Sequence, residues 1–361
     1  MLFNSYPFLL GFLPVTLFGF FAIGQSSRRL AAAWLAFASL VFYGWWNPIY
    51  VLLLAASIAF NYTLGVRIAR ARHRADGAAK RWVVLAVAVN LAVLGYFKYA
   101  NFFVDNFASV ARFHPDIAKI VLPLGISFYT FTQIAFLFDA YRGKVIEFNP
   151  VHYALFVTYF PHLIAGPILH HAEMMPQFRQ RAIYRVNAEN FAVGLTIFAI
   201  GLFKKTVLAD GIAPFVGPLF STAASSPPSF LDAWGGALTY TCQLYFDFSG
   251  YSDMAIGLSR LFGVVLPLNF DSPYKAANII DFWRRWHMTL SRFLRDYVYF
   301  GLGGNRHGLA RRYINLFVTM LLGGLWHGAG WTFVAWGALH GVYLMINHAW
   351  RALRHAPPVA R

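Results

Sequence analysis

The chain is 361 residues long, 58% hydrophobic and 19% aromatic, with only 12% charged residues. A single soluble core could not bury that much apolar surface, so the composition implies an integral membrane protein. The formal net charge of +16 sits in short loops between apolar runs, which points to anionic headgroups and cytoplasmic loops rather than to nucleic acid.

Apolar runs long enough to cross a bilayer need roughly 20 residues, and about eight to ten such stretches can be marked. Segments such as "VLLLAASIAF" (51 to 60) are apolar throughout and lack the alternation of a barrel strand, so the expected class is all-α and polytopic. The first spans fall near residues 6 to 24, 30 to 46, 49 to 66 and 82 to 100. The first has no basic leader and no small-residue cleavage pattern after it, so it is expected to be a retained span rather than a signal peptide. Between the third and fourth lies "RIARARHRADGAAKR" (67 to 81), with six Lys/Arg against one Asp, which predicts a cytoplasmic loop. Counting back from it places Arg28 and Arg29 inside and the uncharged "MLFNSYPF" start outside the cytoplasm.

Beyond residue 119 the pattern is interrupted. "IVLPLGISFYTFTQIAFLFDAYRG" (120 to 143) and "YFPHLIAGPILHH" (159 to 171) carry Pro and Gly inside apolar runs. Broken or re-entrant helices are tolerated at membrane depth only where protein buries them or they line a cavity. Further apolar stretches lie near 191 to 203 and 231 to 246, then a polar and aromatic block at 270 to 307, then 313 to 348, expected as two spans hinged at "HGAG". No internal repeat or linker is visible, and residues 1–361 are expected to form a single membrane domain.

Four groups of residues bear on chemistry. In "GGLWHGAGW" (323 to 331), His327 stands among glycines that make room for a substrate or for another helix. It reads equally as a neutral core histidine bonded across helices and as a general base inside the membrane. In "DFWRRWHMTLSRFLRDYVYFGLGGNR" (281 to 306), helical spacing would put Arg285, Arg292 and Arg295 on one face of an amphipathic interfacial helix that also holds His287. Those arginines either anchor in headgroups or receive a phosphate-bearing cofactor. Asp247 and Asp253, beside Ser249 and Ser252, are expected to be helix-end or cavity-lining groups, since "DFSGY" is not a nucleophile elbow. His162, His170, His171 and Glu173 lack the i, i+4 ligand pair, so no metal is expected. Cys242 is the only cysteine and excludes a disulfide within the chain.

Six blocks of sequence then resemble the membrane-bound O-acyltransferase (MBOAT) family, in its alginate O-acetylase (AlgI-like) branch. They are "GYFKYANFF" (95 to 103), "LPLGISFYTF" (122 to 131), "FPHLIAGPI" (160 to 168), "QLYFDFSGYSDMAIGL" (243 to 258), "FWRRWHMTLSRFLRDYVYFGLGGNR" (282 to 306) and "LLGGLWHGAGWTFVAWGALHG" (321 to 341). The resemblance implies a helical bundle around a central tunnel, in the bacterial inner membrane. It implies transfer of an acetyl group from a cytoplasmic donor, acetyl-CoA, towards an exported polysaccharide, directly or through periplasmic acetyl-relay or acetyltransferase proteins. The family's histidine falls on His327 and its second polar position on His287, while Arg284, Arg285 and Arg292 become candidates for the donor phosphates. Members of this branch usually continue for a further hundred residues or more, so the chain is expected to be short at its C-terminus.

Two alternatives stand beside that expectation. A related enzyme would transfer D-alanyl groups from a carrier protein to teichoic acid. A transporter or channel would use broken helices and buried polar groups without any chemistry.

Overall fold

The computed structural model describes residues 1–74, 77–111, 118–223 and 227–354, and among them there is no strand. After a π-helical turn, Pro7–Phe12, come α1 (Leu13–Ser26), α2 (Arg28–Gly44), α3 (Ile49–His73), α4 (Ala78–Ala111), α5 (Ile126–Arg142), α6 (Pro150–Thr158), α7 (Phe160–Leu163) and α8 (His171–Met174). The second half holds α9 (Ala188–Phe203), α10 (Asp210–Ala223), α11 (Phe230–Leu261), α12 (Ile279–Arg285), α13 (Met288–Phe293), α14 (Gly308–His327) and α15 (Trp331–Leu353). The protein is an all-α, multi-pass membrane protein. Among the described residues four helical stretches are long and apolar enough to cross a bilayer, Pro7–Ser26, Ile49–His73, Ala78–Ala111 and Ala188–Gly217. Only 17–28% of their apolar windows is buried inside the protein, so most of that surface, including Phe18, Leu52, Phe103 and Phe215, is left for lipid.

The expected cytoplasmic loop at 67 to 81 is mostly helix. Arg67, Arg70, Arg72 and His73 extend α3, and Ala78 to Arg81 open α4. Arginine and alanine are good helix formers and the first breaker is Gly77, so the helices continue past the apolar run. The tip of that loop, residues 75–76, lies outside the described residues, as do residues 355–361 at the C-terminal end.

The chain divides into two compact units, one formed by Met1–Val83 with Phe136–Leu268 and the other by Val84–Ala135 with Asn269–Arg361. In the first, Phe3, Phe8, Phe42 and Phe160 pack with ring centroids 5.2–6.5 Å apart. The predicted break at 159 to 171 is present: Tyr159 leaves the helical region between α6 and α7, and the Phe160 N–H donates to the Ser39 hydroxyl at 3.1 Å. A side chain thus satisfies a backbone group that the break releases, as burial in an apolar medium requires.

Helices α9 and α11 approach through glycines. A Cβ on Gly257 would lie 2.6 Å from the Gly194 carbonyl oxygen, and one on Gly201 the same distance from the Gly250 carbonyl oxygen. The pairs recur every seven residues, two helical turns, so the backbones touch along a stripe of small residues. Next to that stripe Lys204 meets Asp253 at 2.6 Å, and Lys205 meets Asp247 at 2.5 Å and Asp210 at 2.7 Å. Asp247 and Asp253 are therefore mid-helix residues whose charges are offset by lysines, so of the helix-end and cavity-lining places expected for them the first is excluded. Their place follows from α11 running without a break to Leu261.

Candidate active site

In the second unit, α14 and α15 are joined at Gly328–Gly330, the hinge predicted at "HGAG". A Cβ on Gly324 would lie 2.9 Å from Gly337 Cα and closer still to the Phe333 carbonyl oxygen, and one on Gly328 would meet the Phe333 ring. The glycines around His327 thus admit another helix, the second of the two uses that the sequence left open.

His327 is the last residue of α14. A helix ends with carbonyls that have no partner in the helix, and here α4 supplies donors. The Tyr99 hydroxyl donates to the Leu325 carbonyl at 2.6 Å, and the Lys98 ammonium donates to the Trp326 carbonyl and, at 3.0 Å, to the Ser127 hydroxyl. A cation at a helix C-terminus also complements the helix dipole. Lys98 and Tyr99 therefore fix the end of α14 on which His327 rides.

Rings surround His327. Trp326 and Trp336 each lie 4.9 Å away, centroid to centroid, and His287 lies 6.4 Å away. Its Nε2 is buried without a hydrogen-bond partner among the described residues. Trp336 is backed in turn by His340 at 4.5 Å, and the Trp283 indole N–H donates to His340 Nδ1 at 3.3 Å.

His287 is placed by a different device. It sits between α12 and α13 with φ 43, a left-handed conformation uncommon for a residue with a Cβ. The surrounding bonds hold it there. The Met288 N–H donates to the Asn269 carbonyl at 2.9 Å, and the Asn269 side-chain oxygen accepts from the Thr289 N–H at 3.3 Å and the Thr289 hydroxyl at 2.9 Å. The backbone donor identifies that atom as the amide oxygen. His287 Nδ1, 3.1 Å from the same oxygen, must therefore carry the proton, which leaves Nε2 as an acceptor. His287 is 1% exposed, so the tautomer is set by protein and not by solvent.

The left-handed break corrects the continuous amphipathic helix expected for 281 to 306. Arg285 belongs to α12, whereas Arg292 and Arg295 lie beyond His287 on α13 and the π-helical turn Leu294–Tyr299, so the three do not share one helical face. Arg285 is engaged by Asp281 at 3.1 Å and Asp271 at 3.5 Å, and Arg295 by Asp296 at 2.7 Å. The hydrogen bond from Arg285 holds the Asp281 carboxyl below its ordinary range. Arg284 is exposed, and Arg292 is half-buried on α13.

The histidines of "PHLIAGPILHH" lie in the first unit, where the buried Nε2 atoms of His162 and His171 also have no hydrogen-bond partner among the described residues. His171 lies 3.3 Å from Asp139, and His170 forms a capping box with Glu173 at the start of α8. Among the described residues no three His, Cys, Asp or Glu side chains converge as a metal site.

The sequence profile of the membrane-bound O-acyltransferase family matches residues 114–361. The chain belongs to that family. Its enzyme class is O-acyltransferase, and the transporter alternative falls. A peptidoglycan O-acetyltransferase of Helicobacter pylori is 47% identical over 378 residues, covering 97% of this chain and 71% of the relative. A probable alginate O-acetylase, AlgI, of Pseudomonas aeruginosa is 48% identical over 354 residues, covering 97% of this chain and 66% of the relative. A teichoic acid D-alanyltransferase of Streptococcus thermophilus is 30% identical over 238 residues, 63% of this chain and 57% of the relative. The chain spans about two thirds of the length of the O-acetylating relatives.

His287 and His327 were both legible in the sequence as candidates. Asn269, Lys98, Trp336 and His340 were not singled out. A lysine inside the apolar run "GYFKYANFF" is a signal in itself, but nothing local in the sequence marks Asn269.

Proposed function

We propose that the protein transfers an acetyl group from cytoplasmic acetyl-CoA to a hydroxyl of an exported polysaccharide, alginate-like or another polymer. It does so in the bacterial inner membrane, with its N-terminus outside the cytoplasm. The observation that carries this reading is the buried Nε2 of His327, which has no hydrogen-bond partner among the described residues and lies in an aromatic enclosure beside His287. A neutral imidazole in that state is a base waiting for a hydroxyl proton.

In the proposed step the acceptor O–H approaches His327 Nε2, which takes the proton as the oxygen attacks the thioester carbonyl. The tetrahedral intermediate collapses with loss of the C–S bond, and the departing thiolate takes the proton from His327 as free CoA. His287, with its proton held on Nδ1, orients the acceptor by accepting at Nε2 from a neighbouring donor group of it, since the one proton of the reacting hydroxyl goes to His327. Arg284, Arg285 and Arg292 remain proposed contacts for the donor phosphates, with Arg285 the weakest of the three because two carboxylates already engage it. The acceptor is the polymer itself or a periplasmic relay protein that passes acetyl on. The greater identity to the O-acetylating relatives, 47–48% against 30%, favours acetyl over D-alanyl.

The test is donor dependence in inverted membrane vesicles. Radiolabelled acetyl-CoA should label an acceptor in wild-type vesicles and not in His327→Ala vesicles. Label that appears only with a D-alanyl carrier protein would transfer the assignment to the teichoic acid branch.

A further inference from the structure

The helix pair α14 and α15 has a second end. Arg312, Leu316, Met320 and His327 recur at helical spacing along α14, and Trp336, His340, Leu344 and His348 do so along α15. The histidine enclosure lies at the hinge. Far from it Arg312 Nη2 lies 2.9 Å from His348 Nδ1. A guanidinium can only donate, so His348 Nδ1 accepts and its proton resides on Nε2. Both side chains therefore turn further N–H donors to their surroundings.

Those surroundings include a cavity of about 360 Å³. Arg312, His348, Arg295 and Asn305 are among its polar lining residues, beside the hydroxyls of Ser291, Tyr299 and Thr319, and Leu316, Met320 and Leu344 are among its apolar walls. Among the described residues no Asp or Glu lines it. Arg295 is offset by two bonds to Asp296, at 2.7 and 3.1 Å, whereas Arg312 forms no ion pair among the described residues. The turn that brings Asn305 to the cavity depends on glycines: Gly303, Gly304 and Gly308 have φ values of 101, 59 and 84, and the Asn315 amide donates to the Gly304 carbonyl at 2.8 Å. One uncompensated guanidinium, several N–H donors and an apolar wall in a single enclosure call for an anion that carries a chain.

We propose that this cavity binds a phosphate ester with an attached chain, its phosphate on Arg312 and His348 and its chain along Leu316, Met320 and Leu344. Arginine suits phosphate because its fork donates to two oxygens at once. Two sources share this chemistry, a membrane phospholipid and the phosphate-bearing arm of the acyl donor. The second rests on the function proposed above. Arg312 and His327 are fifteen residues apart on one helix, about 22 Å at the helical rise, so a donor seated here would run its arm along α14 towards the reacting end.

The test uses the full chain purified in dodecyl maltoside, which contains no phosphate. Binding of CoA and, separately, of phosphatidylglycerol in mixed micelles is followed by titration calorimetry and by the shift in melting temperature. Wild type should bind at least one probe saturably. Arg312→Gln should weaken that binding at least tenfold, Arg312→Lys should weaken it less, and Leu316→Trp, which fills the chain end while keeping the cation, should abolish it. Dependence on Arg312 with CoA assigns the site to the donor; with phosphatidylglycerol alone it assigns the site to lipid. Saturable binding of neither probe, or binding that both Arg312→Gln and Leu316→Trp leave intact in folded protein, overturns the proposal. Probe binding as stated in a protein that transfers no acetyl would sink the functional reading and leave the site standing.

Discussion

Helices α9 and α11 cross at two glycine pairs, and α14 and α15 cross at one, Gly324 against Gly337. Beside the first crossing every lysine has a carboxylate: Lys204 with Asp253, Lys205 with Asp247 and Asp210. At the end of the second, the His327 Nε2 and the Trp326 indole N–H are buried with no partner among the described residues. An unsatisfied buried polar group costs roughly 1–3 kcal/mol; beside the first crossing that group is the Ser249 hydroxyl on α11, a poor base, whereas at the end of the second it is an imidazole that can take a proton. The difference teaches where chemistry sits: the same small-residue packing serves as closed scaffold in one region and, in the other, as support for a side chain left open to a reactant.

The largest effect should come from the open group itself. His327→Ala should lower acetyl transfer by about 10²–10⁴-fold, the usual contribution of a general base, while the melting temperature stays the same or rises, since no protein bond to Nε2 is lost. Rates in vesicles and melting by intrinsic fluorescence check both halves. Equal loss of stability and activity would erase the contrast between the two regions.

A valine at either crossing should break its packing. Gly257→Val places a Cβ against the Gly194 carbonyl, and Gly324→Val does the same against α15. Each should destabilise by about 1–3 kcal/mol or more, the cost of overpacking, seen as a lower melting temperature and a lower extracted yield. At equal amounts of folded protein, Gly257→Val should keep its turnover, whereas Gly324→Val should lose it, because His327 lies one turn further along the displaced helix.

Lys98→Met removes the donor to the Trp326 carbonyl. A loss of about 1–3 kcal/mol is expected from the uncapped buried carbonyl, together with a fall in kcat at constant KM for the donor. That split distinguishes positioning of His327 from donor binding, which would raise KM instead.

The smallest effect belongs to the closed region. Asp253→Asn, with both partners a quarter exposed, should cost about 1 kcal/mol or less, shrinking in high salt, with turnover unchanged. Melting at two ionic strengths beside the vesicle assay checks it.

The apolar runs made the helical class, three of the first four spans and the hinge at "HGAG" readable, because length and hydropathy act locally; the span expected at 30 to 46 is the 17-residue α2, which is not among the stretches long enough to cross a bilayer. The break at His287 was not readable. Its left-handed backbone depends on Asn269, eighteen residues earlier, and no local propensity encodes that. Lys98 was visible as a charge in an apolar run, but its partner at Trp326 is 228 residues away. Asp247 and Asp253 misled for a similar reason, since their roles depend on lysines that another helix supplies. His327 stood out by residue type and neighbours alone, whereas the aromatic enclosure that distinguishes it from an ordinary core histidine exists only after folding.

The central claim is that His327 is the reacting base at the end of α14. The most direct measurement is the O-acetyl content of the exported polysaccharide by proton NMR, in cells that express wild type or His327→Ala at equal membrane levels. The account predicts acetylation with wild type and none above background with the variant. Acetylation at the wild-type level in His327→Ala cells would contradict it and make His327 a packing residue.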